Sequence, residues 1–188
     1  SWTSPPCSPS TLEMSASEAP TGNGLVLTAD EGQAFWFLNT LTISKVEGID
    51  TRGGFSVLDH RCPAGYAPPP HIHRGTDEAF YILEGLFEGF CGGRSWKAGP
   101  GTLVFLPRDV PHGFRVSDAG PGRTLLILAP AGFEQFVAEL GEQAQQLVLP
   151  EPVPPDPARV VEIAAAHGIH VLPPPGPDPA SYMESSVP

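Results

Sequence analysis

The sequence has few basic residues, few cysteines and no long apolar run. Its 188 residues contain 10 Lys and Arg against 21 Asp and Glu, which gives a formal charge of −11. A protein that binds nucleic acid or an anionic membrane needs a basic surface, so this charge disfavours both partners. The chain offers no stretch of about 18 apolar residues for a transmembrane helix. Residues 1–24 also lack the basic start and apolar centre of a secretory signal.

The cysteines favour a reducing compartment. Cys7, Cys62 and Cys91 show no CxxC spacing, and their odd number leaves one of them unpaired. A disulfide framework is therefore not expected, and the thiols are expected to be reduced, as they are in the cytosol. Together with the missing signal and membrane segments, these features predict a cytoplasmic protein with no membrane or nucleic-acid partner.

Between residues 25 and 130 the sequence alternates short apolar runs with turn-forming residues. The chain has 24 prolines and 21 glycines without a collagen-like period, and many of them mark turns. Apolar runs about 8–12 residues apart, rich in β-branched and aromatic residues, are typical of an antiparallel sandwich or barrel. The predicted strands are 24–28, 34–38, 41–46, 54–61, 71–73, 78–84, 86–91, 102–106, 112–116 and 123–129.

After Pro130 the apolar period changes from that of a strand to that of a helix. One helix is predicted because apolar residues recur at i, i+3, i+4 and i+7, at Phe133, Phe136, Val137 and Leu140. A second helix is predicted over 157–167, with Asp156 as its N-cap and Gly168 at its end. The predicted organisation is a flexible segment (1–24), an all-β barrel (25–130), a helical C-terminal extension (131–173) and a disordered tail (174–188).

Side chains that could bind a metal cluster just after residue 70. His71 and His73 are two residues apart, and side chains alternate between the faces of a strand, so both project from one face. Two neutral imidazoles in this arrangement can hold a divalent metal. Glu78 is out of phase with them, but a turn at Gly75 can correct the phase, so that Glu78 points inward and Asp77 outward.

A third histidine follows in the stretch 101–112. There an apolar strand leads into a turn bracketed by Pro107 and Pro111, and His112 begins the next strand. At that position His112 can face inward as a fourth ligand, with Phe114 beside it.

These two stretches resemble the two sequence motifs of the cupin superfamily. The first motif runs Gly, five residues, His-x-His, three or four residues, Glu, six residues, Gly, and every interval fits Gly65, His71, His73, Glu78 and Gly85. The second motif runs Gly, five residues, Pro-x-Gly, two residues, His, three residues, Asn, and it fits at Gly101, Pro107 and His112. Asp109 replaces the second motif's inner Gly, and Val116 its Asn. Asp tolerates unusual turn dihedrals, and the Asn is not a ligand.

The resemblance implies a monocupin, a single cupin-type antiparallel β-barrel (jelly roll) with C-terminal α-helices. The family's metal ligands carry over onto His71, His73, Glu78 and His112. Imidazole and carboxylate together suit one divalent Fe, Mn, Ni, Co or Zn ion without selecting among them. Because many cupins are dimers, the resemblance is also compatible with a homodimer.

The layout of the whole chain most resembles the quercetinase-like (flavonol dioxygenase) monocupins of bacterial secondary metabolism. That likeness implies a small-molecule substrate, aromatic or polyketide-like, with adjacent hydroxyl and carbonyl oxygens, and O₂ as the second substrate. Tyr66, Phe80 and Phe114 would line the substrate pocket. Glu78 would be both a metal ligand and the base that takes the substrate's phenolic proton.

Two other functions remain open on the same site. The first is a non-redox isomerase, cyclase or decarboxylase, in which the metal acts as a Lewis acid and Glu78 or Tyr66 moves a proton. The second is a cupin that binds a small ligand without turnover. Fold and metal site are common to all three, so the sequence does not choose the substrate. His60 is assigned a structural or surface role.

Overall fold

Two antiparallel β-sheets contain twelve of the fifteen helices and strands in the part of the chain that the structure describes. The structure is a computed structural model that describes residues 24–173, so the predicted tail (174–188) and almost all of the predicted flexible segment (1–24) lie outside it. In chain order the elements are β1 (Gln33–Phe37), β2 (Thr40–Val46), α1 (Gly48–Thr51), β3 (Ser56–Cys62), β4 (His71–His73), β5 (Asp77–Glu84), β6 (Phe87–Cys91), β7 (Arg94–Ala98), β8 (Leu103–Leu106), β9 (His112–Val116), β10 (Gly122–Ala129), α2 (Phe133–Leu140), β11 (Glu142–Gln143), α3 (Pro157–Ala166) and β12 (Ile169–Val171).

The two sheets enclose a common apolar core. The strand order is β11-β1-β2-β3-β10-β5-β8 in the larger sheet and β12-β4-β9-β6-β7 in the smaller one. Every second residue of β10 is buried, as expected for a strand with one face toward a core. Both sheets contribute to the core, with Leu58, Phe80 and Leu128 from the larger sheet and Phe87 and Val116 from the smaller one. The predicted all-β class and cupin-type barrel are confirmed.

The predicted strand at residues 24–28 is wrong, because that segment joins neither sheet. Lys45 Nζ donates hydrogen bonds to the carbonyl oxygens of Thr28, Ala29 and Glu31, at 3.0, 2.7 and 2.6 Å. Carbonyl groups that a side chain occupies are not available to a strand ladder. Residues 24–32 are therefore an exposed, irregular segment, and the first strand begins at Gln33.

The sequence does not predict β7 or α1. Strand β7 reads Arg-Ser-Trp-Lys-Ala, and its polar residues hide the apolar alternation that marks the other strands. It is positioned by pairing with β6 rather than by its own composition. Helix α1 is a single turn of four residues that ends at Arg52, whose left-handed φ of 56° stops the helix.

The two helices predicted after the barrel are present. Helix α3 begins as predicted, since Asp156 Oδ1 accepts hydrogen bonds from the backbone N–H groups of Ala158 and Arg159 at 3.0 and 3.4 Å. After α3, strand β12 joins the smaller sheet beside β4, so that the C-terminal extension is part of the barrel wall. Within residues 24–173, none of the helices has the length and apolarity needed to span a membrane.

A buried carboxylate organises the outer face of the larger sheet. Asp59 is 1 % exposed, and its two oxygens lie 3.0 and 2.8 Å from Nε and Nη2 of Arg123. Arg61 Nη2 is 3.1 Å from the same carboxylate and 3.2 Å from Asp30. Burial alone would raise the pKa of Asp59, but the hydrogen bonds from Arg123 and Arg61 outweigh it and lower the pKa. The network thus links β3 and β10 to the segment before β1.

Replacing Asp59 tests this network. Asp59→Ala leaves two half-buried guanidinium groups without their shared partner, and we expect it to lower the free energy of unfolding by about 3 kcal/mol, measured by urea denaturation. Asp118→Ala is the matched control, because Asp118 is 76 % exposed and pairs with Arg115 at the surface. An exposed pair is worth less than about 1 kcal/mol. Equal losses in the two variants would contradict the role given to Asp59.

Candidate metal centre

Strand β4 carries two of the predicted ligands between two neighbouring strands. On one side it pairs with β12, where Ile169 faces His73 and Val171 faces His71. On the other side it pairs with β9, where His71 stands directly opposite His112. Antiparallel pairing therefore brings three imidazoles from two strands into one patch, although His112 is about forty residues further along the chain.

Glu78 reaches the same patch from the larger sheet. The turn between β4 and β5 contains Gly75 with φ of 73°, a left-handed conformation that glycine adopts readily. Strand β5 then begins with Asp77, which points outward and forms an ion pair with Arg108, at 2.6 Å between Oδ2 and Nη2. Alternation turns Glu78 inward, where it is 4 % exposed. The structure thus places Glu78 and Asp77 on the faces that the sequence predicts.

The four side chains form a group with the dimensions of a metal site. One ligand atom from each of His71, His73, Glu78 and His112 lies within 4.8 Å of all the others. Glu78 Oε2 is 3.3 Å from His112 Nε2 and 3.6 Å from His73 Nε2. These three atoms are buried and have no hydrogen-bond partner among the described residues. Buried polar atoms without partners are costly, and one cation at the centre would satisfy all of them.

Hydrogen bonds fix which ring nitrogen faces the centre. The Nδ1 atoms of His71 and His112 lie 2.9 Å from the backbone oxygens of Pro69 and Val110. A carbonyl oxygen only accepts hydrogen bonds, so each Nδ1 carries the proton and donates it. Nε2 of each ring then presents its lone pair to the group, as in metal-bound histidines elsewhere.

Asp109 holds the turn before β9 in place. Its φ is 64°, so it adopts the left-handed conformation for which the cupin motif usually has Gly. Its backbone N–H donates to the carbonyl oxygen of His73 at 2.9 Å, and its Oδ1 accepts from the backbone N–H of Gly75 at 3.3 Å. The departure from the motif thus adds a side-chain hydrogen bond that joins the turn before β9 to the turn after β4.

The protonation states suit a cation. Burial, with the neighbouring His112 and His73, lowers the pKa of His71 to about 3, and burial also lowers the pKa of His73. Burial alone would raise the pKa of Glu78, but His73, His112 and His71 outweigh it and lower that pKa to about 2. At neutral pH His71 and His73 are therefore neutral and Glu78 is ionised, which are the forms that bind a divalent metal.

A narrow apolar cavity adjoins the group. It measures about 70 Å³, and His71 and Glu78 lie in its wall. The other residues that line it are Phe37, Leu38, His60, Tyr66, Pro68, Pro69, Phe114, Leu126, Phe133, Phe136, Val160, Ala164, Ile169 and Val171. Small-molecule sites commonly measure about 300–1,000 Å³, so a ring-sized substrate requires lining side chains to move.

Two of the three predicted pocket residues line the cavity, and the third does not. Tyr66 and Phe114 line the cavity. Phe80 does not: it is 1 % exposed and packs in the core behind Phe114, with ring centroids 5.1 Å apart. The assignment of Phe80 to the pocket is therefore corrected, because alternation places it inside the barrel but in the filled part of the interior.

Several cavity residues are not predicted from the sequence. His60, which the sequence assigns a structural or surface role, is 3 % exposed and lines the cavity. Phe133 from α2 also lines it, and its ring centroid is 5.7 Å from that of His73. The signal for His60 was its inward phase in β3, two residues from the buried Leu58 and Cys62.

Comparisons with known proteins agree with this geometry. Residues 60–128 match the cupin domain family. The chain is 28 % identical over 147 residues to quercetin 2,3-dioxygenase of Bacillus subtilis, and the alignment covers 78 % of this chain but 43 % of that protein. This chain therefore spans less than half the length of that relative.

Two solved structures share the fold at low sequence identity. KdgF from Halomonas sp. is 14 % identical with a TM-score of 0.52, over 60 % of this chain and 98 % of the other. A predicted oxalate decarboxylase from Thermotoga maritima is 16 % identical with a TM-score of 0.51, over 56 % of this chain and 99 % of the other. At such identities the likeness concerns the fold alone. The barrel and these matches together show a cupin-type fold, in which residues 60–128 match the cupin domain family and the chain is similar to quercetin 2,3-dioxygenase.

Proposed function

We propose that the chain is an enzyme that holds one divalent transition metal through His71, His73, Glu78 and His112. The observation that carries this proposal is the set of buried Nε2 and Oε2 atoms that have no hydrogen-bond partner in the described chain. Three imidazoles and one carboxylate suit Fe, Mn, Co, Ni or Zn, and the donor set does not select among them. With four protein ligands, a metal that takes five or six ligands retains coordination positions for a substrate.

Removing two ligands tests the metal site. The double variant His71→Ala with His73→Ala should lose stoichiometric metal, measured by elemental analysis after dialysis, because two neighbouring donors are gone. Its melting temperature is compared with that of the metal-free wild type, since the core cluster does not include either histidine. His170→Ala is the control, because His170 lies on β12 with an exposed side chain. Full metal occupancy in the double variant would contradict the assignment.

The reaction that we propose is dioxygenation of an aromatic or polyketide-like substrate with adjacent hydroxyl and carbonyl oxygens. The similarity to quercetin 2,3-dioxygenase supports it, as does the apolar wall of the cavity, which includes Phe114 and Phe133. A bound metal would supply Lewis acidity and, if redox-active, electron transfer toward O₂. Glu78 would accept the phenolic proton as the substrate binds, and the aromatic walls would hold the substrate ring and exclude water.

Because the cavity is narrow, the proposed reaction requires part of the cavity wall to move when a substrate binds. The residues that line the cavity include Leu38, in the turn between β1 and β2, with Phe133 and Val160. Phe133 and Val160 belong to the C-terminal helices α2 and α3. Substrate entry therefore requires these side chains, or the helices that carry them, to shift.

The substitution Glu78→Gln tests whether Glu78 acts as a base or only as a metal ligand. The amide keeps the shape of the carboxylate but does not accept a proton, so we expect activity per bound metal to fall by roughly 10²–10⁴-fold. Asp77→Asn is the matched control, because Asp77 is the neighbouring carboxylate and points away toward Arg108. The measurement is turnover divided by metal content. Activity per metal within about threefold of wild type would show that Glu78 is only a ligand.

A non-redox reaction is the second candidate. It is favoured by Tyr66, which lines the cavity and whose hydroxyl could move a proton. An oxygen electrode distinguishes the two reactions in metal-loaded protein supplied with flavonols and polyketide phenols. Dioxygenation predicts one O₂ consumed per substrate. Substrate loss without O₂ uptake would favour an isomerase, cyclase or decarboxylase.

A further inference from the structure

Two polar side chains of the cavity wall are not among the four candidate metal ligands. Besides His71 and Glu78, the polar lining residues in the described chain are His60 and Tyr66. Their ring centroids are 6.1 Å apart and their planes are inclined by 67°. The rest of the lining is apolar, so these two residues are the available hydrogen-bonding groups for the part of a substrate that does not touch the metal.

His60 is held in place by two buried threonines. Its Nδ1 is 2.9 Å from Thr42 Oγ1, and the two residues face each other across the β2–β3 ladder. Thr42 Oγ1 is in turn 3.4 Å from Thr40 Oγ1, which donates to the carbonyl oxygen of Phe37 at 2.5 Å. Because Nδ1 is engaged, Nε2 is the nitrogen left for a ligand. Burying polar groups in an apolar barrel is costly unless they are hydrogen-bonded, and these hydrogen bonds hold the His60 ring in one orientation.

Tyr66 is fixed by its backbone and leaves its hydroxyl available. Its N–H donates to Pro63 O at 3.2 Å, and its carbonyl oxygen accepts from the N–H of Val116 at 2.8 Å. Its ring packs against Phe114, with centroids 6.1 Å apart. Burial raises the pKa of Tyr66, so the phenol stays protonated and can donate a hydrogen bond.

The two residues offer hydrogen bonds without charge. Burial lowers the pKa of His60 to about 4, so its imidazole is neutral at neutral pH. No Lys or Arg is found among the lining residues in the described part of the chain. Binding an anionic group here is strongly unfavourable, because the group would have no counter-ion in an apolar setting. A neutral hydroxyl or carbonyl oxygen needs no counter-ion, so it can bind through hydrogen bonds alone.

We infer that His60 and Tyr66 form a second substrate subsite, which binds a neutral hydroxyl or carbonyl oxygen of a molecule whose other end chelates the metal. The inference rests on the proposed function, because it assumes chelation at the metal group. It narrows the substrate class to hydroxy-carbonyl compounds that bear a further neutral oxygen. It disfavours substrates with a second carboxylate or a phosphate.

Two pairs of chelators that differ by one hydroxyl test the subsite. Kojic acid and allomaltol share a hydroxypyranone head, and only kojic acid has the distal hydroxyl. 3,4′-Dihydroxyflavone and 3-hydroxyflavone are a second pair of larger molecules with the same chelating group, and only the first has the distal 4′-hydroxyl. Binding to zinc-loaded protein without O₂ is measured by calorimetry, corrected for the affinity of each compound for free zinc. We expect the hydroxylated member of at least one pair to bind about fivefold more tightly, the effect of one net hydrogen bond.

Variants assign the preference to the two residues. Tyr66→Phe and His60→Gln should each reduce the preference, with Tyr66→Phe keeping the ring and removing only the hydroxyl. Phe114→Leu is the control, because this wall residue has no polar side-chain atom and should change both members of a pair alike. A preference that survives in both Tyr66→Phe and His60→Gln would overturn the subsite. So would affinities within twofold in both pairs of the wild type.

The failure of the proposed function gives a different result. If none of the four compounds binds the zinc-loaded wild type, or if the His71→Ala/His73→Ala variant binds them equally well, chelation at the metal group is wrong and the subsite is wrong with it. If the compounds bind only to the zinc-loaded wild type but without a preference within either pair, the metal site stands and the subsite alone is refuted.

Discussion

The pairing of β4 with a strand on each side is the constraint on which the site depends. This strand has three residues, and two of them are His71 and His73. So short a strand has little stability of its own, so its position is set by β9 on one side and β12 on the other. Because β9 carries His112, the same ladder that orders β4 also brings the third imidazole opposite the first.

The candidate metal group is a polar cluster inside an otherwise apolar barrel interior. Glu78 Oε2 and the Nε2 atoms of His73 and His112 are buried without hydrogen bonds, which is unfavourable for folding unless a cation binds them. The core around them is apolar, with Phe80, Leu106 and Leu128 almost fully buried. A metal would therefore add stability as well as chemistry.

The sequence predicts the candidate ligands better than it predicts the cavity. His71, His73 and Glu78 are close in sequence, and strand alternation with a turn at Gly75 determines their faces. Alternation also places Phe80 and His60 inside, but it does not tell which part of the interior is filled and which is open. That depends on contacts between distant elements, such as Phe80 against Phe114. The wrong strand at 24–28 has a similar cause, since Lys45, which is distant in sequence, binds the carbonyl oxygen of Thr28 at the end of that segment.

The candidate ligands and much of the cavity wall lie in different parts of the chain, which explains why the two motifs do not identify the substrate. The cupin match covers residues 60–128 and contains the four candidate ligands. Much of the cavity wall comes from beyond that match: Phe133 and Phe136 lie on α2, Val160 and Ala164 on α3, and Ile169 and Val171 on β12. A change in these helices would reshape the cavity without touching a ligand. If the chain acts as proposed, its substrate choice depends on the C-terminal extension and on His60 and Tyr66, whereas the ligands of the two motifs would supply the metal chemistry.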